Sequence, residues 1–278
     1  MRMIDTHLHT ITPDRLSYPW LAQVPQLNHE HSYATYAAQA RRCGISDALH
    51  MEVDVAEMDI EAETALIQAL AQQDSNLIRG VISACRPESP DFPAFLERQL
   101  ANGFVKGFRR VLHVVDTGLS EGALFRHHLA RLKGTGLPFD LCVLPQQNHV
   151  VRALVDMNPE VQFVLDHCGV PDIKGGAMDL WRGTIIEMAR RPNVVAKVSG
   201  ICAYADEHWE LEDLRPYVEH TIACFGWDRV VWGSDWPVCT LNGELSVWVA
   251  ATHALLTGCS LEERSKLLHQ NAERVWRL

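Results

Sequence analysis

The sequence predicts a single closed (β/α)8 barrel over residues 1–278. Short β-branched or apolar runs alternate with amphipathic stretches of helical period along the whole chain, and this alternation is typical of βαβ units in a parallel sheet. Eight such units in 278 residues fit a closed barrel better than an open doubly wound sheet. No low-complexity linker or change in composition marks a second domain.

The strands are expected where short apolar runs lie between the helical stretches. In chain order they cover 3–9, 45–52, 77–84, 105–113, 138–143, 161–167, 194–199 and 229–235. The helices are expected at 32–43, 58–74, 91–102, 120–133, 146–157, 179–190, 210–225, 243–257 and 261–270.

Three of these helices begin with a recognisable capping signal. Ser32 precedes an alanine-rich run, Ser120 is followed by Glu121 in the first turn, and Ser260 with Glu263 forms a capping box. The segment 10–31, rich in Pro, Tyr, Trp and His, is too long for an ordinary connection between a strand and a helix. We expect it to fold over the mouth of the barrel.

Composition excludes several classes of function. The formal charge of -10 is spread along the chain without acidic or basic blocks, so nothing indicates nucleic-acid binding. No apolar run approaches the length of a membrane helix and no signal-peptide core follows the N-terminus, which favours a cytoplasmic protein without a membrane partner. The eight cysteines form no CxxC pair and are expected to be reduced. No glycine-rich phosphate loop follows a strand, which argues against a nucleotide cofactor.

Unusual polar residues collect at the carboxyl ends of the predicted strands, where barrel enzymes place their active sites. These residues are His7, His9, His50, Glu52, Arg109, Arg110, His113, Gln146, Asp166, His167, Ser199 and Asp235. His50 and His113 could equally be ordinary hydrogen-bonded histidines, and Asp166 could face the helices. Arg109 and Arg110 are adjacent in a strand, so one of them must face away from the barrel interior.

His7 and His9 are the first candidates for chemistry. Two imidazoles one residue apart in a strand point to the same side, so both can be directed at one metal ion or substrate atom. The pair could instead consist of two solvated or hydrogen-bonded histidines.

Asp235 is the strongest candidate at the other end of the chain. It follows the apolar run Val230-Val231-Trp232-Gly233-Ser234, where a partly buried carboxylate needs a partner. The alternative is a helix N-cap before Trp236-Pro237. His167 follows another apolar strand and precedes a turn, which makes it a candidate for a third metal ligand or a donor to a carbonyl oxygen.

These residues resemble the amidohydrolase superfamily, in particular its small TIM-barrel lactonase branch, which includes L-fuconolactonase, L-rhamnonolactonase and 2-pyrone-4,6-dicarboxylate lactonase. The motifs that carry the resemblance are Ile4-Asp5-Thr6-His7-Leu8-His9, Tyr18-Pro19-Trp20-Leu21, Val105-Lys106-Gly107-Phe108-Arg109, Leu165-Asp166-His167-Cys168-Gly169, Lys197-Val198-Ser199-Gly200, Gly233-Ser234-Asp235-Trp236-Pro237 and Asn271-Ala272-Glu273-Arg274. The resemblance implies a hydrolase that opens a lactone, with a sugar acid as the product in the aldonolactonase members.

The resemblance assigns His7, His9, His167 and Asp235 to the family's catalytic positions. The binuclear members bridge two metals with a lysine or glutamate after the fourth strand, where this chain has Arg109, Arg110 and His113, and the fifth strand lacks the usual histidine. One divalent metal, zinc, held by His7, His9, His167 and Asp235, or no metal at all, is therefore expected.

In the mechanism that these residues suggest, Asp235 accepts a proton from water as it attacks the lactone carbonyl, and His167 and His9 stabilise the oxyanion. The candidates for holding the hydroxyl groups of a sugar lactone are Arg109, His50, Glu52, Gln146, Trp20 and Trp236. A single inward-facing arginine favours a neutral lactone over a dicarboxylate pyrone. The rival hypotheses are a zinc-dependent decarboxylase of the related branch and a barrel that binds a sugar or a metal without catalysis.

Overall fold

A computed structural model describes all residues, Met1–Leu278, and contains one sheet of eight parallel strands that follow each other in chain order. The end of the first strand meets the residues that directly follow the last strand through backbone hydrogen bonds. The Asp235 N–H donates to the His7 carbonyl at 2.8 Å, and the His9 N–H donates to the Trp236 carbonyl at 2.7 Å. The predicted (β/α)8 barrel is confirmed.

All eight strands lie within the predicted ranges and most end one or two residues earlier. They are β1 (Met3–Leu8), β2 (Ile45–Met51), β3 (Ile78–Ala84), β4 (Val105–Val111), β5 (Phe139–Cys142), β6 (Phe163–Leu165), β7 (Val194–Ser199) and β8 (Val230–Gly233). Because they end early, several of the polar residues assigned to strand ends lie in the turns just beyond them.

Nine of the ten helices overlap the predicted ranges, and the last, α10, was not predicted. They are α1 (Tyr33–Arg42), α2 (Ile60–Ala71), α3 (Phe92–Leu100), α4 (Ala123–Leu129), α5 (Asn148–Asp156), α6 (Met178–Ala189), α7 (Leu211–Phe225), α8 (Leu245–Leu255), α9 (Leu261–Ser265) and α10 (Asn271–Trp276). One turn of π-helix, Lys266–Gln270, joins α9 to α10. No helix in the structure is both long enough and apolar enough to cross a lipid bilayer.

Two of the three expected helix starts are confirmed. The Ser32 hydroxyl accepts from the Thr35 N–H, and Ser260 and Glu263 form a reciprocal capping box. The third expectation is wrong, because Ser120 lies inside a 3₁₀ turn and α4 begins only at Ala123 after Gly122.

The barrel has two apolar layers. Between the strands and the surrounding helices lies the larger core, which includes Phe108, Phe139, Trp181 and Trp232. Inside the barrel lies a smaller cluster, which consists of Ile4, Leu49, Met51, Ile82, Val164, Val195, Val231, Ala272, Val275 and Trp276. The last three of these belong to α10, so the final helix packs against the interior of the barrel and leaves the opposite end for the site.

A shift of register in β1 decides where its histidines point. Ile4 packs inside the barrel, so strict alternation would direct His7 outward. The pairing of β1 with β2 is irregular between Asp5 and Leu8, and Leu8 instead packs in the outer core. This local irregularity turns His7 and His9 inward.

The Asp5 carboxylate stabilises this irregular stretch. Its Oδ1 accepts the backbone N–H of His7 at 3.0 Å and that of Ser234 at 2.7 Å, and its Oδ2 accepts the Tyr36 hydroxyl at 2.7 Å. One buried side chain thus ties the ends of β1 and β8 together.

The segment 10–31 forms two short 3₁₀ turns, Pro19–Gln23 and Pro25–Leu27, and packs as a third apolar cluster beside the strand ends. Its residues Ile11, Trp20, Val24 and Leu27 line the cavity at the mouth of the barrel. The expected position of this segment is confirmed.

Candidate active site

Four side chains from three strand ends meet at the mouth of the barrel. His9 Nε2 lies 3.3 Å and His7 Nε2 3.6 Å from Asp235 Oδ1, and His167 Nδ1 lies 3.7 Å from Asp235 Oδ2. All four side chains are at most 6% exposed. The structure therefore brings together the carboxylate and the three imidazoles that were predicted to meet.

Two of the four residues have a backbone conformation that residues other than glycine rarely adopt. The φ angles are 52° at His167 and 58° at Asp235, both in the left-handed region. Such conformations cost about 1 kcal/mol or more and persist only where the surroundings impose them. Gly200 leaves room for Asp235, because a Cβ atom at Gly200 would lie 2.3 Å from the Asp235 side chain.

The hydrogen bonds of His9 leave a lone pair facing a carboxylate. Its Nδ1 donates to the Met51 carbonyl at 2.9 Å, so Nε2 presents a lone pair to Asp235 Oδ1. Asp235 Oδ2 is buried without a hydrogen-bond partner. Two acceptors that face each other at 3.3 Å need a proton or a cation between them.

Burial sets the protonation of these groups. Burial raises the pKa of Asp235 to about 6, although the neighbouring His167 and Arg109 act in the opposite direction. Burial, with a contribution from Arg109, lowers the pKa of His9 to about 4, and burial together with Lys197 holds the pKa of His7 well below its usual value. Near pH 7 the histidines are therefore neutral and Asp235 is largely ionised, which suits metal ligands and a general base.

These pKa shifts predict how stability depends on pH. Burial lowers the pKa values of His7, His9 and His50, so the unfolded chain binds protons in weak acid that the folded protein does not. Asp235 acts in the opposite direction, because its raised pKa lets the folded protein bind a proton in the same pH range. This proton offsets the one that the unfolded chain binds at one of the three histidines. We expect the free energy of unfolding, measured with urea, to fall by roughly 1–3 kcal/mol per unit between about pH 6.5 and pH 5.5. A constant or rising value over that window would contradict the assignment of neutral buried histidines.

Arg109 lies beside the four residues, and its guanidinium is fully engaged. Its Nε donates to Glu52 Oε1 at 2.6 Å and its Nη2 to the Glu52 carbonyl at 2.8 Å. Its Nη1 lies 3.2 Å from His7 Nε2 and 3.4 Å from Asp166 Oδ2. Arg110 points away from the interior to Glu88, as the alternation within β4 requires.

Below the histidines lies a fully buried ion-pair network. Lys197 on β7 donates to Asp140 Oδ2 at 2.5 Å and lies 2.9 Å from Asp166 Oδ1, and all three side chains are inaccessible to solvent. Burial raises the pKa of Asp166, but Lys197 and His7 more than offset this and hold it well below its usual value. His7 Nδ1 lies 3.3 Å from Lys197 Nζ and 3.6 Å from Asp166 Oδ1. Asp166 thus faces the interior, not the helices.

A cavity of about 300 Å³ opens in front of this cluster. Of the four central residues, His9, His167 and Asp235 line it, together with Arg109, His113 and Tyr204. Its outer wall is largely hydrocarbon and comes from the segment 10–31 and from the turn after β8. The cavity places a small molecule against the carboxylate and the imidazoles.

Of the six residues predicted to contact a substrate, Trp20 and Arg109 line the cavity and four do not. His50 lies between Leu49 and Met51, which face the barrel interior, so it points outward to Thr10. Glu52 does not line the cavity, and its carboxylate accepts a hydrogen bond from Arg109.

Trp236 and Gln146 also lie away from the cavity. Trp236 is 2% exposed and packs beside His31 and Tyr36 on the opposite side of the chain from Asp235. Gln146 is exposed on a 3₁₀ turn and borders an adjoining cavity, while its neighbour Gln147 is buried and holds that turn.

Sequence reasoning missed Lys197, Asp140 and Tyr204. Lys197 and Asp140 each interrupt an apolar strand, and a charged residue in such a position must be paired once it is buried. That signal was available in the sequence. Tyr204 lies in a 3₁₀ turn after β7, and no pattern in the sequence distinguishes it.

Known proteins are similar to this chain over most of its length. A family model described as amidohydrolase matches residues 4–278. L-fucono-1,5-lactonase of Burkholderia ambifaria is 28% identical over 202 residues, which cover 71% of this chain and 69% of that protein. 4-sulfomuconolactone hydrolase of Rhizobium radiobacter is 24% identical over 236 residues, which cover 84% and 75%. The crystal structure of an amidohydrolase from Burkholderia multivorans with bound zinc superimposes with a TM-score of 0.89 at 25% identity, covering all of both chains.

The family match begins in β1 and extends to the last residue, so it includes every strand end that contributes to the site. The chain therefore belongs to the amidohydrolase family.

Proposed function

We propose that the protein is a hydrolase that opens a lactone to the corresponding hydroxy acid, with a sugar lactone such as an aldonolactone as the first substrate to test. The observation that carries the proposal is a buried carboxylate, Asp235, that faces three imidazoles at the wall of a cavity. The names of the curated relatives, L-fucono-1,5-lactonase and 4-sulfomuconolactone hydrolase, support a lactone as the substrate class.

In this mechanism Asp235 acts as the general base. Its Oδ2, which has no hydrogen-bond partner, accepts a proton as the oxygen of a water molecule attacks the lactone carbonyl carbon. The bond from that carbon to the ring oxygen then breaks, and protonated Asp235 returns the proton to the departing ring oxygen. The raised pKa of Asp235, about 6, suits both transfers near neutral pH.

His167 is the candidate for stabilising the negative charge on the carbonyl oxygen. His167 Nδ1 lies 3.0 Å from the Ser199 hydroxyl and 3.3 Å from the Ser199 carbonyl. The carbonyl favours a proton on Nδ1, and this role requires the other tautomer, in which the hydroxyl donates to Nδ1 and the ring proton lies on Nε2. A neutral imidazole that donates from Nε2 can bind the developing oxyanion. Arg109 adds a fixed positive charge at the same wall of the cavity.

The same residues fit one divalent cation, which we propose to be zinc. His7, His9 and Asp235 offer ligand atoms within 4.8 Å of one another, and imidazole and carboxylate are donors that zinc prefers. The lone pair of His9 Nε2 opposite Asp235 Oδ1 is the observation that fits a cation there. When bound, zinc supplies a positive charge that acidifies the attacking water and polarises the carbonyl.

The direct test is proton release from a panel of aldonolactones, followed with a pH indicator. We expect lactone-dependent acidification by the purified protein, and a lower rate after treatment with a chelator that restoration of zinc reverses. Absence of proton release from every lactone in the panel would refute the proposed hydrolysis. An unchanged rate in protein shown by metal analysis to be free of zinc would mean that the carboxylate and imidazoles act without a cation.

A further inference from the structure

The wall of the cavity opposite the histidines is hydrocarbon. It consists of Ile11, Trp20, Val24, Leu27, Val238 and Leu241. These six residues belong to or pack against one apolar cluster that also contains Val53 and Val55. Trp20 presents only carbon to the cavity, because its indole N–H donates to the Val53 carbonyl at 2.8 Å.

The charged side chains near this cavity are already paired. Arg109 is engaged by Glu52, and Asp54 accepts from Arg86 at 3.2 Å. Arg110 donates to Glu88 at 2.8 Å. No arginine or lysine at the cavity is therefore available to hold a carboxylate or a sulfonate of a substrate.

Few uncharged polar groups remain to bind hydroxyls. Beyond the residues of the proposed reaction, the cavity offers the Tyr204 hydroxyl, the Gln23 amide and one nitrogen of His113, whose other nitrogen contacts Cys142 at 3.2 Å. A fully hydroxylated ring would bury several hydroxyl groups against hydrocarbon, and each buried hydroxyl without a partner weakens binding.

We infer that the site accepts an uncharged lactone that carries an alkyl or aryl substituent, with the substituent packed against the wall formed by the segment 10–31 and the turn after β8. This inference rests on the proposed lactone hydrolysis and makes an alkyl- or aryl-substituted lactone, and not an aldonolactone, the preferred substrate of that reaction. Contact of the substituent with Val24 and Leu27 removes apolar surface from water, while the ring ester lies against Asp235 and His167.

A series of lactones with one ring size tests the inference. The probes are δ-valerolactone, δ-octalactone and D-glucono-1,5-lactone, which differ in carrying no substituent, a propyl group, or hydroxyl groups. We expect kcat/KM for δ-octalactone to exceed the value for D-glucono-1,5-lactone by about tenfold or more.

The Val24→Thr variant examines the wall itself. Val24 is half-buried, so a threonine of the same shape keeps the fold while adding a hydroxyl to the hydrocarbon surface. We expect kcat/KM for δ-octalactone to fall about fivefold to tenfold, with a smaller loss for δ-valerolactone. Val247→Thr, an exposed position on α8, is the matched control and should change neither value.

The possible outcomes separate this inference from the proposed function. Preferential hydrolysis of D-glucono-1,5-lactone, or an equal loss for both alkyl lactones in Val24→Thr, overturns the inference and leaves lactone hydrolysis intact. Failure to hydrolyse any of the three lactones, and any aldonolactone, overturns the proposed function and the inference together.

Discussion

Asp235→Asn is expected to lower kcat for lactone hydrolysis by about 10²–10⁴-fold while the protein remains folded. An amide cannot accept a proton from water at neutral pH, so the variant lacks the proposed base. The fold should tolerate the change, because the amide nitrogen can donate to His9 Nε2, which faces Asp235 at 3.3 Å. The neutral side chain also removes the cost of burying a carboxylate whose pKa is raised to about 6.

The measurement is steady-state hydrolysis of the preferred lactone together with the melting temperature of each variant. Asp206→Asn is the matched control, since Asp206 is exposed and does not line the cavity. We expect the control to retain full activity and Asp235→Asn to melt no lower than the unaltered protein. A rate for Asp235→Asn within tenfold of that protein would exclude Asp235 as the base.

Lys197→Met is expected to destabilise the protein by about 3–5 kcal/mol, because it leaves two buried carboxylates without their shared ammonium. Asp140 and Asp166 are inaccessible to water, so neither can replace the lost partner with solvent. The pKa of Lys197 reflects both its burial and its two carboxylate partners. Burial lowers it, but the two carboxylates raise it above its usual value and keep the lysine charged.

Urea unfolding measures this effect, with Lys174→Met, an exposed lysine beside Asp206, as the control that should leave the midpoint unchanged. The double variant Lys197→Met with Asp140→Asn should recover part of the loss, because one of the stranded charges is removed with the ammonium. Equal stability of Lys197→Met and the unaltered protein would contradict the buried ion-pair network. A further loss in the double variant would contradict its coupling.

Lys197 also positions His7, from the side of the ring that faces away from Asp235. Its Nζ lies 3.3 Å from His7 Nδ1, and Asp166 lies on the same side of the ring. This support leaves His7 Nε2 directed at Asp235. A side chain outside the cavity thus orients a histidine that contacts Asp235, through contacts that span the barrel from β7 to β1.

The barrel and the meeting of its two ends could be predicted from the sequence. Alternation of apolar strands with amphipathic helices is a local pattern, and eight repeats of it close only when the first strand lies beside the last. The closure brings His7 and His9 to Asp235, as the hydrogen bonds between the end of β1 and the residues after β8 show. His167 was predicted to lie in the same site because it ends a predicted strand, and the order of the strands in the chain sets the place of that strand in the barrel.

The orientation of individual side chains could not be predicted as reliably. Strict alternation from Ile4 would have turned His7 outward, and only the irregular pairing of β1, held by Asp5, turns it inward. His50, as a residue at a strand end, and Trp236, as an aromatic ring, were predicted to contact the substrate, yet they face Thr10 and Tyr36. Position at a strand end does not specify which face a side chain takes.

The sequence by itself determined the fold class and the residues that converge at the mouth of the barrel, since both depend on periodicity and on chain order. Only the tertiary structure decided which charges are available there. Arg109 is engaged by Glu52, Lys197 lies between Asp140 and Asp166, and the wall contributed by the segment 10–31 is hydrocarbon. The physical reason is that ion pairing and desolvation act between residues far apart in the chain, and their strength depends on distances that no local pattern contains.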